Sequence, residues 1–173
     1  RYDTTKHLAT PVISDAKVGL QKISEALGDW KAPDDWYKRA IKEKNEWDAY
    51  VEKQSGPTNQ EEPSYAHAVG AVYRNSDPSD IVVTAAGGLV GEVVQVWKPK
   101  QLNTFETEWG FSCMGYEISG ALGIKMAKPD QDVVVFVGDG SYLLNNTDIY
   151  SSVIYDQKLI IIVCDNGGHM VIN

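Results

Sequence analysis

The chain has 173 residues, 43% of them hydrophobic, which is enough to bury one domain-sized core. Its net charge of −8, with no basic run and no interleaving of aromatic and basic residues, argues against nucleic acid and anionic membrane surfaces as partners. No apolar run approaches the ~20 residues needed to cross a bilayer, and nothing resembles a signal peptide. Two cysteines, Cys113 and Cys164, suggest no disulfide framework and fit a reducing compartment, so a cytoplasmic location is expected.

In chain order, residues 1–30 read as the end of a preceding central domain. Pro11-Val12-Ile13 leads into an amphipathic helix from about Ser14 to Leu27, capped by Asp15 or Ser14, with Val18, Ile23 and Leu27 on its apolar side. Residues 31–63 read as a connecting helix and linker. Pro33-Asp34-Asp35 supplies helix-entry chemistry for a charged helix to about Gln54. On it, Trp36, Ala40, Trp47 and Val51 mark a buried stripe, and Lys38, Lys42, Glu43 and Glu46 a solvated face. Ser55 to Pro63 is a linker by composition. Residues 64–173 form the last domain, which starts near Ser64 and stops on an element that reads as unfinished.

Within that domain, Ile81-Val-Val-Thr-Ala-Ala-Gly-Gly reads as a buried strand ending in glycines before a helix. In Trp109 to Ile124, the small residues Gly115, Ser119, Gly120, Ala121 and Gly123 recur at helical spacing, which suits close packing of a helix on a neighbour. Val133-Val-Val-Phe-Val-Gly-Asp-Gly-Ser141 and Leu159-Ile-Ile-Ile-Val-Cys-Asp-Asn-Gly-Gly168 are apolar runs without alternation, each ending in a polar turn. Such runs are how strands buried on both faces of a parallel sheet read. A crossover helix over about Asn146 to Gln157 would set the two strands side by side with their turns at one edge, where open α/β sheets bind ligands.

The chemistry of those turns is specific. Asp139 offers a carboxylate and Asn166 an amide oxygen, hard donors suited to Mg²⁺ or Ca²⁺, whose remaining positions phosphate and water can fill. Gly138 and Gly140 allow a tight turn and close approach, and Gly140 and Ser141 present backbone N–H groups to an anion. The implied site is a divalent cation bridging a diphosphate to the protein. His7 and His67 have no ligand-like spacing and read as structural.

Gly138-Asp139-Gly140 followed by the Asp165-Asn166 turn resembles the signature of thiamine diphosphate enzymes. Gly-Phe-Ser-Cys-Met-Gly-Tyr (110–116) with Ala121 and Gly123 is similar to a segment of the acetolactate synthase branch. The resemblance implies an α/β fold, a three-layer parallel sheet flanked by helices, that carries the cofactor's diphosphate. It implies metal ligation of Mg²⁺ by Asp139, Asn166 and the Gly168 carbonyl. It further implies diphosphate contacts at Gly88, Leu89 and Val90, a Met114 wedge beneath the bent cofactor, and a Ser112 carbonyl accepting from its 4′-amino group. Where relatives often carry Asn, this chain has Asp165.

The wording around these motifs is closest to the ring-opening branch of the family, hydrolases that cleave a cyclic dione in myo-inositol catabolism and release 5-deoxyglucuronate. The implied partners are that small-molecule dione and a pyrimidine-binding domain, of the same or a second chain, whose Glu activates the cofactor. A homo-oligomer, dimer or tetramer, and inactivity of this stretch alone are implied as well. Glu106, Glu108 and Glu117 lie near the motif but on the domain's own side, and none takes that activating role. His169, just past the metal turn, is a candidate acid or hydrogen-bond donor, with a structural role as its alternative. Two rival functions remain: an acetolactate synthase-like or 2-oxo acid decarboxylase activity, and a non-catalytic nucleotide-binding α/β module. The absence of a Gly-x-Gly-x-x-Gly fingerprint counts against the second.

Overall fold

The computed structural model describes residues 2–172. They fall into two compact units, 1–45 and 46–173, the division lying within a helix. The first unit contains α1 (Tyr2–Lys6), α2 (Ala16–Leu27) and the start of α3 (Asp34–Ser55). Asp15 caps α2 by accepting from the Val18 N–H at 3.1 Å, and Gly28 at φ +56° ends it in the left-handed region. The Pro33 carbonyl accepts from Trp36 and Tyr37 to open α3, and Asp34 and Asp35 occupy its positive end.

The apolar stripe on α3 is only partly buried. Val51 is 5% exposed, but Trp36 is 65% and Trp47 48% exposed, and Ala40 is exposed too. Helical spacing gathers these side chains on one face, but burial also requires a neighbouring layer. Within its own unit the first half of α3 has only α1, α2 and loops beside it. Lys38, Lys42, Glu43 and Glu46 are exposed as the charge pattern predicts.

The second unit holds the sheet. Its elements are α4 (Tyr65–Asn75), β1 (Ile81–Thr84), α5 (Gly87–Val96), β2 (Phe105–Thr107), α6 (Tyr116–Ala127), β3 (Val133–Gly138), α7 (Asp139–Leu144), α8 (Thr147–Ile154) and β4 (Ile160–Cys164). All strand pairs are parallel, in the order β2-β1-β3-β4. One face packs Val82, Val134 and Phe136 against Val69 of α4 and Leu89, Val93 and Val96 of α5. The other packs Ile81, Val83, Val133 and Val135 against Ile118 and Ala121 of α6. Helix, sheet and helix thus make the expected three layers. Each fully buried Val or Phe contributes about 1.5–3 kcal/mol of transfer free energy.

β1 and β3 are buried on both faces, as their uninterrupted Val and Ile runs predict. β4 departs from that reading: it is half-buried, with Val163 42% exposed, because it is the outermost strand among the described residues. The short strand β2 was not predicted at all. Of the small residues on α6, Ala121 packs on the sheet and the Ser119 hydroxyl donates to Asp148 of α8, but a Cβ on Gly123 would meet nothing within 4 Å.

Ser64 starts α4 through a capping box: its hydroxyl accepts from the His67 N–H, and the His67 ring accepts from the Ser64 N–H at 3.2 Å. His67 is therefore structural, as expected. Gly70 lets α4 lie against the end of α3, where the Ser55 carbonyl also accepts from Arg74 at 2.6 Å. A Cβ at Gly70 would stand 2.1 Å from that carbonyl oxygen, and backbone on both sides leaves little room to yield. Gly70→Ala should destabilise the unit by about 1–3 kcal/mol or more, read as a lower denaturation midpoint at unchanged slope. An unaltered midpoint would show that α4 and α3 are not in this contact.

Candidate functional site

Because every strand runs the same way, the segments after β1, β2, β3 and β4 emerge at one rim. Thr84 is level with Thr107, and Gly138 with Cys164. The chain passes from β1 to β2 on one side and returns to β3 on the other, so the order reverses between β1 and β3. That crevice is where open α/β sheets take ligands. A cavity of about 330 Å³ lies there.

Its walls bring together most of the residues singled out from the sequence. Gly88 and Leu89 come from the start of α5, Ser112 and Met114 from the loop after β2. Gly138, Asp139, Gly140 and Ser141 come from the β3–α7 turn, and Asn166, Gly168 and His169 from the turn after β4. Val90 is not part of the lining; it is 8% exposed and packed within α5. The torsions refine the reading of the glycines. Gly138 has φ −76°, which any residue adopts, so no left-handed turn requires Gly there. Gly140 is needed for space: a Cβ would meet the His169 ring at 2.5 Å and the Met114 methyl at 3.3 Å.

The turn after β4 is shaped by its own side chains. The Gly167 N–H donates to Asp165 at 2.9 Å, and the Gly168 N–H donates to the Asn166 amide oxygen at 3.2 Å. Gly167 at φ +78° and Gly168 at φ +146° take conformations that favour glycine. The Asn166 oxygen retains a second lone pair for a ligand.

The donor set fits a divalent cation with a diphosphate. Asp139 is half-buried, and its carboxylate joins none of the ion pairs among the described residues. Among the described residues no Lys or Arg lines the cavity, so an anion placed beside Asp139 would be repelled unless a cation came with it. No group of three His, Cys, Asp or Glu side chains gathers among the described residues. A metal here would therefore use few side chains and complete its shell with carbonyl, phosphate and water oxygens, which is how Mg²⁺ is usually held.

The loop between β2 and α6 is held by two carboxylates. Glu108 accepts from the Phe111 N–H at 2.9 Å and the Cys113 N–H at 2.7 Å. These bonds, Cys113 first, hold its carboxyl below the usual range, and the same carboxylate raises the Cys113 thiol. Glu117, only 1% exposed, accepts from Gly115 at 2.9 Å and from Ala86 at 3.2 Å. Ser112 itself sits at φ +52°.

Sequence reasoning missed several lining residues. Tyr65 lines the cavity from the first turn of α4. Burial, followed by the nearby Cys164 and Asp139, raises its phenol above the ordinary value. An aromatic residue at a helix start carries no signal of such a place. Met170, Val171 and Ile172 add an apolar wall. Cys164, buried beneath the rim, has its thiol pushed up to about 11 by desolvation and stays protonated.

Comparison with known proteins agrees with this geometry. Residues 85–173 match the family described as thiamine pyrophosphate enzyme, C-terminal TPP binding domain. The chain is 35% identical over 99% of its length to a 3D-(3,5/4)-trihydroxycyclohexane-1,2-dione hydrolase of Geobacillus thermodenitrificans. Proteins of the same name from Clostridium tetani and Lacticaseibacillus casei are 36% and 33% identical over 99% and 100% of the chain. The chain spans about 30% of the length of these relatives. Sheet order, the shared rim and this match together show that the chain belongs to the thiamine pyrophosphate enzyme family, with its C-terminal TPP-binding domain in residues 85–173.

Proposed function

We propose that this chain is the diphosphate- and Mg²⁺-binding portion of an enzyme that hydrolyses 3D-(3,5/4)-trihydroxycyclohexane-1,2-dione to 5-deoxyglucuronate in inositol catabolism. The observation that carries the reading is the cavity where Asp139, Asn166 and Gly168 meet Ser112 and Met114 at one sheet rim. In this reading Asp139, the Asn166 amide oxygen and the Gly168 carbonyl hold the metal, and backbone N–H groups of Gly140 and Ser141 face the diphosphate. Gly88 and Leu89 close its far side, with Val90 supporting them from within α5. Met114 sets the cofactor's bend, and the Ser112 carbonyl accepts from its amino group. When bound, thiamine diphosphate supplies a nucleophilic carbon and an electron sink for cleavage of the bond between two carbonyl carbons.

His169 packs on Gly140 beside Met114, which suits a hydrogen-bond donor to substrate. Exposed Leu143 and Ile172 border an apolar hollow next to Met114. That hollow favours completion of the site by a pyrimidine-binding domain, and with it a homo-oligomer. The two free cysteines fit a cytoplasmic setting.

The test is turnover by the intact protein with thiamine diphosphate and Mg²⁺, offered the cyclic dione or pyruvate. Ring opening of the dione, with water added across the cleaved bond, is the expected result. Turnover of pyruvate alone would replace this reading with an acetolactate synthase-like one.

A further inference from the structure

Three alternate N–H groups in the segment leading into α6, those of Phe111, Cys113 and Gly115, donate to carboxylates rather than to backbone. Each such bond fixes a peptide plane. No peptide here is cis, and in a trans peptide the carbonyl points opposite to the N–H. With the Cys113 N–H turned to Glu108, the Ser112 carbonyl is turned away from Glu108. With the Gly115 N–H turned to Glu117, the Met114 carbonyl is likewise directed away from Glu117.

Ser112 and Met114 are the two cavity residues of this segment, and neither is held by regular structure. Ser112 also sits in the left-handed region at φ +52°, which is unfavourable for a non-glycine residue. Something must hold it there, and bonds to an ionised carboxylate are about twice as strong as neutral ones. Glu117 does more than orient one plane. Its second oxygen takes the N–H of Ala86, 31 positions earlier in sequence, which ties the turn before α5 to the Met114–Gly115 peptide.

We infer that Glu108 and Glu117 form a carboxylate brace that positions the cofactor-facing groups. Glu108 turns the Ser112 carbonyl into the cavity, and Glu117 fixes the spacing between the Gly88 turn and the Met114 wedge. Both are positioning residues that act through their bonds to backbone N–H groups, and their role rests on the thiamine diphosphate reading above.

The test uses the intact protein and the variants Glu108→Gln and Glu117→Gln. Glutamine keeps one acceptor oxygen and places an NH₂ where the second N–H needs an acceptor, so one of the two bonds is lost in each case. Three readouts are taken: amide hydrogen exchange at Phe111, Cys113 and Gly115, the near-ultraviolet circular dichroism of bound cofactor, and kcat beside the cofactor Kd. For Glu108→Gln we expect faster exchange at Phe111 or Cys113, an altered dichroism band, and kcat lower by roughly tenfold or more. The melting temperature and cofactor Kd should stay near those of the unmodified protein.

Glu117→Gln should weaken cofactor binding as well, because the grip and the wedge lose their common tie. Glu108 is surface-accessible, so its variant remains informative if the buried one fails to fold. Unchanged exchange, dichroism and kcat in Glu108→Gln, with normal cofactor binding by the unmodified protein, would overturn the brace alone. Failure of the unmodified protein to bind thiamine diphosphate would overturn the underlying reading instead.

Discussion

Asp139→Ala in the intact protein should weaken thiamine diphosphate binding by at least about a hundredfold, about 2.8 kcal/mol at 1.4 kcal/mol per decade. The reason is the charge inventory of the cavity. No Lys or Arg among the described residues lines it, so the metal is the group that would neutralise a diphosphate, and Asp139 is its only charged side-chain ligand in this account. The fold should survive, because the carboxylate joins no ion pair among the described residues and sits half-buried in the first turn of a short helix. Raising Mg²⁺ should restore part of the loss by mass action. Near-normal affinity at low Mg²⁺ would show that Asp139 does not hold the metal.

Gly115→Ala should damage stability and binding together. Gly115 caps α6 at φ +93° and ψ −9°, where a Cβ costs about 1–2 kcal/mol in backbone conformation. The added carbon would also stand 2.7 Å from the Asn145 Cβ, and crowding of that kind typically adds about 1–3 kcal/mol. Asn145 has little freedom to withdraw, since its side chain donates to the Gly115 carbonyl and the Ser119 hydroxyl. Relief by moving residue 115 would displace Met114 next to it. The expected outcome is a lower melting temperature and a weaker cofactor complex. A variant that melts normally and binds normally would contradict the left-handed cap.

The parts of the fold that could be read from the sequence are those where burial writes itself into composition. Strands β1 and β3 are covered on both faces, so their residues are uninterrupted Val, Ile and Phe, and the turns that follow stand out by contrast. The crossover helix α8 followed from the spacing between the two runs. Strand β2 was hidden because Phe105-Glu106-Thr107 is short, carries a charge and lies at the sheet edge. The α3 stripe misled for the opposite reason. Trp36 and Trp47 have burial-prone chemistry, but helical periodicity says which face is apolar and not whether anything covers it.

At the site, the sequence brought forward side chains whose chemistry is visible in a motif: Asp139, Asn166 and Met114. It could not bring forward Tyr65, which reaches the rim from an element that precedes the first strand. Nor could it show what Glu108 and Glu117 do. Their partners are backbone N–H groups, and a carboxylate bonded to main chain leaves no complementary residue to find. The Glu117 bond to Ala86 exists only once the sheet has brought their two loops together.

Titration calorimetry on the intact protein, with thiamine diphosphate in the presence and absence of Mg²⁺ and with NAD as the comparison ligand, tests most directly whether this rim grips a diphosphate through a metal. Saturable thiamine diphosphate binding that requires Mg²⁺, with no heat from NAD, is the expected result. Binding of thiamine diphosphate that is indifferent to Mg²⁺, or binding of NAD in its place, would contradict the account.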